Sequence, residues 1–354
     1  MKSFFTKNID WLKKWDDFLK TENRGNHLLY SDWLSSYKSY GFDFEVFIII
    51  NENKKIIGGF GAVIAKTLIF KFYVVPVGPI FTIGSENKID FVLEKLKFRA
   101  KELGCCYCQF SFPYSNKNNG FKHFFNTNNI NLNNYKSGNL FKYVYSPKGV
   151  NWVDFKGSTQ EELLASFSIQ VRRNINLSLK NNLEISLAID NLECQLAYEI
   201  IEKNAIDNNY SVRSFNDFGS TIMSMIDKKT AYLFVAKNIN EIKGSALVVD
   251  CGNHLTYISG GTLKEKPDLK TGYFLHWKII EKSFELGYSG YNISLGGSKG
   301  VQEFKSKFNT TTILFSDETQ HIIFKPTYFK LYLFLDSILK KNKKTISKVL
   351  RFLK

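Results

Sequence analysis

The residues with the clearest chemical potential stand near the end of the chain, in the segment GGSKGVQEFKSKF (residues 296–308). Its glycines and lysines suit a phosphate-binding loop, a surface turn or the mouth of an active site. A P-loop would end in Gly-Lys-Ser/Thr, and this segment does not. A lysine beside a reacting carbonyl can stabilise the oxyanion that forms when an amine attacks an activated ester. Lys305 and Lys307 are therefore candidate functional residues. The alternative is two solvated lysines at the start of a helix.

Two adjacent arginines, Arg172 and Arg173, offer a different kind of contact. They begin a predicted helix, and guanidinium groups can bind phosphate through two hydrogen bonds at once. The apolar side of this helix consists of Ile175, Leu179 and Leu183. Contact with a phosphate or a substrate, and ordinary ion pairing with Glu161 or Glu162, stand as alternatives.

Composition excludes several classes of protein. The chain has 354 residues, of which 44% are hydrophobic, enough for two globular domains. Five irregularly spaced cysteines favour buried thiols over a disulfide framework. None of the five histidines lies in a nucleophile or zinc motif, so we expect no metal and treat His254 and His276 as packing or turn residues. The chain shows neither a signal-peptide core nor an apolar run long enough to span a bilayer, which predicts a cytoplasmic protein.

The formal charge of +15 is concentrated at one end of the chain. Residues 325–354 contain nine Lys/Arg and one acid, Asp336, so this stretch carries +8. Apolar residues recur there at helical spacing with lysines on the opposite side. Residues 326–354 are therefore predicted to form a basic amphipathic helix suited to an anionic membrane surface. Packing against the enzyme itself, or attraction of tRNA phosphates, are the alternatives.

The chain also contains an internal repeat. VFIIINENKKIIGG (46–59) is matched by YLFVAKNINEIKGS (232–245), with Phe47 on Leu233 and Gly58 on Gly244 at an offset of 186. FRAKELGCCYCQFSFP (98–113) is matched by EKSFELGYSGYNISLGG (281–297) at an offset of 183. The order of the matched segments is preserved, which indicates duplication.

Each copy predicts the same elements. Three strands (44–50, 56–65 and 68–75; 231–237, 242–251 and 254–260) are separated by turn residues. A helix follows, at about 87–103 and 272–286, and each helix ends in Leu-Gly with Gly104 or Gly287 as the C-cap residue. A final strand closes each unit. The order of strands and helix is that of the GNAT acyltransferase fold.

Two tandem GNAT-like units are the architecture of the Fem-type aminoacyltransferase (FemABX) family, which the chain resembles over residues 28–316. Each motif is weak alone, but their order is that of the family. The motifs are YVVPVGPIF (73–81), QVRRNINLSLKNNLEI (170–185), YISGGT (257–262), GYFLHWKIIEKSFELGY (272–288) and ISLGGSKGVQEFKSKFN (293–309). Val77 departs from the pattern, because the family has an arginine between these prolines, near an anionic substrate.

The resemblance implies an α/β (α+β) protein with mixed sheets flanked by helices. Residues 1–150 would form the first GNAT-like domain and 151–325 the second, which would carry the active site. The basic amphipathic helix at 326–354 would follow.

The resemblance also implies roles for single residues. Lys305 would stabilise the oxyanion and the backbone carbonyl of Phe304 would face the incoming amine. Tyr257 and Tyr273 would line the same cleft, with buried structural tyrosines as the alternative.

The implied activity is transfer of an aminoacyl group, from aminoacyl-tRNA, to an amine of a peptidoglycan or other cell-envelope precursor. The enzyme would need no cofactor and would be a monomer in the cytoplasm, at the inner face of the plasma membrane. Two alternatives stay open. One is an acyl-CoA-dependent N-acyltransferase acting on an amino sugar, although the chain lacks the glycine-rich pyrophosphate loop of such enzymes. The other is a non-catalytic protein that binds nucleic acid or membrane.

Overall fold

The computed structural model describes residues 1–67, 69–111, 141–315 and 319–341, the last five without their side chains. Its strands are β1 (Lys2–Thr6), β2 (Asp43–Ile50), β3 (Ile56–Thr67), β4 (Phe70–Val75), β5 (Ile80–Phe81), β6 (Tyr107–Phe110), β7 (Gly149–Asp154), β8 (Glu184–Leu187), β9 (Ala231–Asn238), β10 (Glu241–Asp250), β11 (Leu255–Thr262), β12 (Gly290–Asn292), β13 (Thr311–Leu314) and β14 (Gln320–Ile323). Its α-helices are α1 (Ile9–Thr21), α2 (Ser31–Ser35), α3 (Ile89–Glu102), α4 (Gln160–Ser166), α5 (Ile169–Lys180), α6 (Asn191–Asp207), α7 (Phe215–Asp227), α8 (Thr271–Glu285), α9 (Lys299–Ser306) and α10 (Pro326–Lys341).

The strands form two mixed sheets with the same central pattern. The first has the order β1-β2-β3-β4-β6-β14, with β5 paired to β3, and the second has the order β13-β7-β12-β11-β10-β9-β8. In each, three antiparallel strands are followed by a parallel one, β6 beside β4 and β12 beside β11. The predicted tandem mixed α/β units are confirmed. The repeat also begins earlier than predicted, since β1, α1 and α2 have counterparts in β8, α6 and α7.

A β-bulge marks the same place in both copies. Ile57 is the extra residue of β3 opposite β2, and Lys243 is the extra residue of β10 opposite β9, at the predicted offset of 186. The strands before the bulges, β2 and β9, match each other at an offset one residue larger than the 186 of the bulges. The turn of the second copy is one residue shorter, which brings Phe234 rather than Leu233 to the position of Phe47. The predicted equivalence of Phe47 with Leu233 is therefore wrong by one residue.

The helices α3 and α8 end in the same way. Gly104 and Gly287 both have φ of 72°, a left-handed conformation that glycine adopts without strain. In each copy the N–H groups of the glycine and of the next residue donate to carbonyls three and five residues earlier, at 2.9 and 3.0 Å. This is a Schellman motif, so the two predicted C-cap glycines are confirmed.

The chain crosses between the sheets twice. The strand β7 follows the first copy in the chain and pairs with β12 of the second sheet. Near the end of the chain β14 returns and pairs with β6 of the first sheet. Thus the first sheet receives β14 from outside its repeat, and the second sheet receives β7 and, paired to it, β13. Gln320–Ile323 joins the first sheet although it lies within the predicted range 151–325. The boundaries at residues 150 and 325 stay predictions.

Three hydrophobic clusters hold these layers together. The helix α3 packs on one face of the first sheet, and α5 and α8 pack on one face of the second. The largest cluster draws on both units and includes side chains of α1, α2, α6 and α7. A polar link adds to it, because the guanidinium of Arg213 donates to the hydroxyl and carbonyl oxygens of Ser36 and to the hydroxyl of Ser39 at 2.6–3.0 Å.

The last described helix, α10, packs against the first sheet. Phe329 and Tyr332 are buried, and Phe329 stacks on Tyr107 with ring centroids 4.2 Å apart. Tyr328 and Phe334 remain exposed. Residues 342–354 of the predicted basic helix lie outside the described residues. Within the described part of the chain, no helix has the length and apolar character to cross a membrane.

Candidate active site

The two sheets differ at the point where the parallel strands separate. In the first sheet the β4–β6 pairing runs to Val75 opposite Phe110, and the N–H of Gly78 then donates to the carbonyl of Ser111 at 2.8 Å. In the second sheet the β11–β12 pairing ends at Thr256 opposite Asn292, one position earlier in the repeat. The rest of β11 continues beside β10 and diverges from the chain that follows β12. We call the region between the unpaired part of β11 and the chain that follows β12 the cleft of the second unit.

Lys305 lies at this cleft and is buried. It belongs to α9, and its side chain extends back over the turn that follows β12. The Nζ atom donates to the carbonyl oxygens of Ser294 at 3.0 Å and Gly296 at 2.8 Å. Only 3% of the residue is exposed, and burial lowers its pKa from 10.5 to about 8. The interpretation of Lys305 as a solvated surface lysine is therefore wrong.

The glycine pair of the motif shapes the turn beneath Lys305. Gly297 has φ of 127°, a conformation that side chains rarely adopt, and a Cβ there would lie 2.6 Å from Val301. Ser298 then begins α9, where its side chain accepts the N–H of Val301. The sharp turn and the capped helix together bring Lys305 back over the carbonyls of Ser294 and Gly296.

Phe304 and Lys307 lie in the last turn of α9. The carbonyl of Phe304 accepts the N–H of Lys307 at 3.3 Å, a long hydrogen bond, and a carbonyl oxygen can accept a second one. Lys307 is the C-cap residue, and its side chain is half-buried. The structure thus connects Lys307 to Phe304 through its backbone.

Aromatic side chains line the cleft around Lys305. The Nζ atom of Lys305 lies 5.3 Å from the ring centroid of Tyr257, within the range of a cation–π contact. The ring of Tyr273 lies 4.9 Å from that of Phe304, which in turn lies 5.3 Å from Phe308. The structure therefore brings together four of the residues singled out from the sequence, namely Lys305, Phe304, Tyr257 and Tyr273.

One member of this cluster was missed at the level of sequence. His276 is buried on α8, and its ring centroid lies 4.9 Å from Tyr257 and 5.5 Å from Phe304. Its Nδ1 lies 3.0 Å from the hydroxyl of Tyr291 on β12. Burial, and the nearby charge of Lys305, lower the pKa of His276 to about 3. Its spacing of three residues from Tyr273 on one helix was the available signal.

Gly260 is needed to seat Tyr257. A Cβ at Gly260 would lie 2.6 Å from the Tyr257 hydroxyl oxygen and 2.8 Å from the carbonyl oxygen of Ser245. The neighbouring Gly261 has a different role, because a Cβ there would lie 2.4 Å from the carbonyl oxygen of Ile200 on α6. In the YISGGT motif, Gly260 thus leaves room for the side chain of Tyr257, and Gly261 leaves room for the helix α6.

The two arginines lie on a different helix from Lys305. Arg172 is half-buried and Arg173 is exposed on α5, a helix that packs against α8. No hydrogen bond or ion pair among the described residues joins either arginine to Lys305 or to its aromatic neighbours. The proposed contact with phosphate stays a prediction.

A groove of about 340 Å³ lies beside the far end of β11. It is lined by Ile200, Lys203, Asn204, Asp207, Thr262, Leu263, Lys264 and Glu265. The side-chain amide of Asn204 donates to the carbonyl of Gly260 at 3.2 Å and to the hydroxyl of Tyr210 at 2.7 Å. This places the groove next to the strand that carries Tyr257. Within the described part of the chain, no three His, Cys, Asp or Glu side chains are grouped as metal ligands would be.

Comparison with solved structures supports the fold. The crystal structure of FemX superposes with a TM-score of 0.79 at 14% sequence identity, covering 94% of this chain and all of that one. The structure of L-PGS from Bacillus licheniformis gives a TM-score of 0.54 at 12% identity, covering 93% and 96% of the two chains. A tandem GNAT protein from the clavulanic acid biosynthesis pathway gives 0.50 at 9% identity, covering 91% and 98%. Among curated proteins none matches significantly.

Two GNAT-like units in tandem define the fold as a tandem GNAT fold. The FemAB family model matches residues 12–243 and 229–336, which together span most of the chain. The chain therefore belongs to the FemAB family, whose members are aminoacyltransferases of peptidoglycan synthesis. The family and the enzyme class predicted from the sequence are confirmed.

Proposed function

We propose that the protein transfers an aminoacyl group from an aminoacyl-tRNA to an amine of a peptidoglycan precursor, with Lys305 as the group that stabilises the oxyanion. The observation that carries this proposal is the position of Lys305, buried at the cleft of the second unit and fixed by two carbonyl oxygens. A fixed cation near a reacting ester stabilises the transition state without reorganising during the reaction.

The reaction is a transfer between two acyl acceptors. The lone pair of the amine nitrogen attacks the ester carbon, and the negative charge develops on the carbonyl oxygen. The bond between that carbon and the ribose oxygen then breaks, and its electron pair leaves on the ribose oxygen. One proton passes from the nitrogen to that oxygen, so the products are an amide and a free ribose hydroxyl. Positioning and charge stabilisation suffice, because the aminoacyl ester is already activated.

The hydrogen-bond inventory of Lys305 fits this role. An ammonium group has three N–H donors, and two of them serve Ser294 and Gly296. Among the described residues the third has no acceptor, so it is available to a substrate oxygen. The pKa of about 8 leaves the group mostly protonated at pH 7. In this proposal the carbonyl of Phe304, the residue before Lys305, accepts a hydrogen bond from the incoming amine.

The test is a transfer assay with the purified protein. Aminoacyl-tRNAs charged with single amino acids are mixed with nucleotide-linked and lipid-linked muropeptides, and the products are read by mass spectrometry. We expect one amino acid to be added to an amine, and Lys305→Met to lower kcat by about 100-fold. Lys299→Met, which removes an exposed lysine of the same helix, is the matched control and should stay within a few-fold of wild type. Failure to transfer any amino acid to any precursor would sink the proposal.

Acyl-CoA is the rival donor, and the same assay covers it. Labelled acetyl-CoA is offered with amino-sugar acceptors under the same conditions. Acetyl transfer in place of aminoacyl transfer would assign the enzyme to the second class. If neither donor reacts and Lys305→Met changes no measurable property, a non-catalytic binding protein becomes the better interpretation.

We propose that the site works in the cytoplasm, at the inner face of the plasma membrane, with the protein acting as a monomer. The support is the basic end of the chain, where residues 342–354 contain five Lys/Arg and no acid. Such a segment is attracted both to anionic lipid and to tRNA. Either contact would bring the enzyme close to one of its two substrates.

A further inference from the structure

His276 stands on α8 next to the proposed oxyanion site, and its ring packs against Phe304 of the helix that carries Lys305. Its ring contacts Tyr257, whose own ring faces the Lys305 ammonium group. The residue is 6% exposed, so almost all of the imidazole is enclosed by protein. The question is which of its two nitrogens carries the proton.

Tyr291 decides the tautomer. Its side chain is fully buried and its hydroxyl lies 3.0 Å from Nδ1 of His276, the one acceptor for this hydroxyl among the described residues. A buried hydroxyl has a single proton and needs an acceptor for it. Tyr291 therefore donates to Nδ1. Because the ring is neutral, its proton is then on Nε2.

The Nε2–H group has no acceptor among the described residues. The Nε2 atom is not one of the fully buried polar atoms that lack a partner, so it keeps some exposure and a ligand can reach its N–H. The groups around this ring are Tyr257, Phe304 and Phe308, together with the charge of Lys305. None of these three aromatic side chains accepts a hydrogen bond from Nε2–H, so this donor is available to a bound substrate.

General base catalysis does not fit this arrangement. A base needs a free nitrogen lone pair, and the lone pair on Nδ1 already accepts the Tyr291 proton. A neutral imidazole can instead polarise a carbonyl by donating its N–H. That property suits the site, since a charged imidazolium would be repelled by Lys305.

We propose that His276 is a second hydrogen-bond donor to the reacting carbonyl oxygen, with its Nε2–H fixed by the hydroxyl of Tyr291. Lys305, on α9, would supply the charge, and His276, on α8, a neutral donor. This inference rests on the proposed function, because it assigns a role in the same transfer step.

Kinetics of matched variants test the donor. His276→Phe keeps an aromatic ring and removes the N–H, and we expect kcat to fall by about 100-fold with KM changed only a few-fold. His276→Gln retains an N–H donor and should recover about a tenth or more of the wild-type kcat. His254→Phe removes a half-buried imidazole, one that lies at Gly252 and Trp152, and should leave kcat within about threefold. An unchanged kcat in His276→Phe overturns the proposal.

The tautomer can be measured without any turnover. The chain has five histidines, so ¹⁵N-labelled histidine gives a spectrum simple enough to assign with the His276→Gln variant. We expect the Nε2–H tautomer of His276 to persist from pH 6 to pH 9, and Tyr291→Phe to mix the two tautomers and lower kcat about tenfold. An Nδ1–H tautomer or an imidazolium in the wild type overturns the proposal.

The two tests also separate this inference from the proposed function. If the wild type transfers nothing, the proposed function fails, and the spectrum still decides whether His276 presents Nε2–H. If the wild type is active and His276→Phe matches it, the inference alone fails.

Discussion

The ammonium group of Lys305 donates to the carbonyl of Ser294, and this carbonyl is the counterpart of the Ser111 carbonyl in the first copy. Ser111 and Ser294 are equivalent because each directly follows a residue, Phe110 or Ile293, that packs in the cluster under the helix of its own unit. In the first copy a backbone N–H, that of Gly78, satisfies the carbonyl and closes the gap between the strands. In the second copy the ammonium group of Lys305 satisfies the equivalent carbonyl instead. Duplication therefore left one unit closed and gave the other a buried cation.

The lowered pKa of Lys305 predicts a loss of activity at unusually mild alkaline pH. The proposed role requires the protonated amine, and the folded pKa of about 8 is the point at which half of the molecules lose that proton. We expect kcat to decline above about pH 8, measured with saturating substrates. Lys305→Arg, whose guanidinium stays charged, should be slower at pH 7 but lack this alkaline decline. A wild-type profile that is flat to pH 10 would contradict the assignment.

The titration of Lys305 also affects stability: the folded protein should become more stable as the pH rises from about 8 towards 10.5. In the unfolded chain Lys305 titrates near its ordinary value of 10.5, and in the folded protein at about 8. Below pH 8 both states are charged, and the folded state bears the full penalty of burying the charge. Between pH 8 and pH 10.5 the unfolded state binds more protons, so raising the pH favours the folded state.

Lys305→Met isolates this effect from other titrations. We expect the variant to be more stable than wild type at pH 7, and its advantage to shrink as the pH rises towards 10, by on the order of 3 kcal/mol at most. Urea unfolding at several pH values measures the difference. An advantage that is independent of pH would mean that Lys305 has a normal pKa in the folded protein.

Gly260→Ala should displace Tyr257 and reduce activity. The added Cβ would lie 2.6 Å from the tyrosine hydroxyl, so the ring would have to leave its place over Lys305. We expect kcat to fall by about tenfold or more, and the loss to be smaller in a Tyr257→Phe background, where the nearest clashing atom is absent. Gly272→Ala is the control. Its nearest neighbours lie 4.0 Å away, and an alanine within α8 should stabilise the protein slightly.

Val77 shows why a departure from the family pattern can be structural. The resemblance expects an arginine here, but Val77 is fully buried in the largest hydrophobic cluster. Val77→Arg would bury a charge without a partner and should lower the free energy of unfolding by about 3–5 kcal/mol, measured by urea denaturation. Val77→Ala controls for lost packing and should cost clearly less. A stable Val77→Arg protein would show that this segment can turn its side chain towards solvent.

The sequence predicted the repeat and its main elements because their signals are local. Apolar periodicity marks β3 and β10, and glycine after leucine ends α3 and α8, whatever the rest of the chain does. The strands β1 and β14 were missed for the opposite reason. Each is short, and β14 is a strand only because β6, more than 200 residues away, offers it an edge. Composition carries no information about such a partner.

The candidate site was predictable in its members but not in its geometry. The motif pointed to Lys305 and Phe304, and family order pointed to Tyr257 and Tyr273. The burial of Lys305 depends on two carbonyls in a turn that only the folded chain defines. His276 was passed over because its partner, Tyr291, lies on another element 15 residues away. A lone histidine in a helix reads as packing until the acceptor or donor facing it is known.

The basic end of the chain predicts binding to anionic membranes. Residues 342–354 carry five positive charges, and α10 before them exposes Tyr328 and Phe334. Each lysine or arginine near an anionic surface contributes about 1 kcal/mol, so a chain that ends after Lys341 should bind vesicles containing anionic lipid at least tenfold more weakly. Vesicle co-sedimentation at low and high salt measures this.

A variant with fewer charges distinguishes electrostatic attraction from apolar insertion. Lys343→Gln, Lys344→Gln and Lys348→Gln together keep the length and the apolar residues of the segment while removing three charges. We expect this variant to lose most of the salt-sensitive binding, because screening acts on charge and not on buried apolar area. Equal vesicle binding by the truncated and the full-length chain, with weaker tRNA binding by the truncated one, would assign the segment to the donor substrate instead.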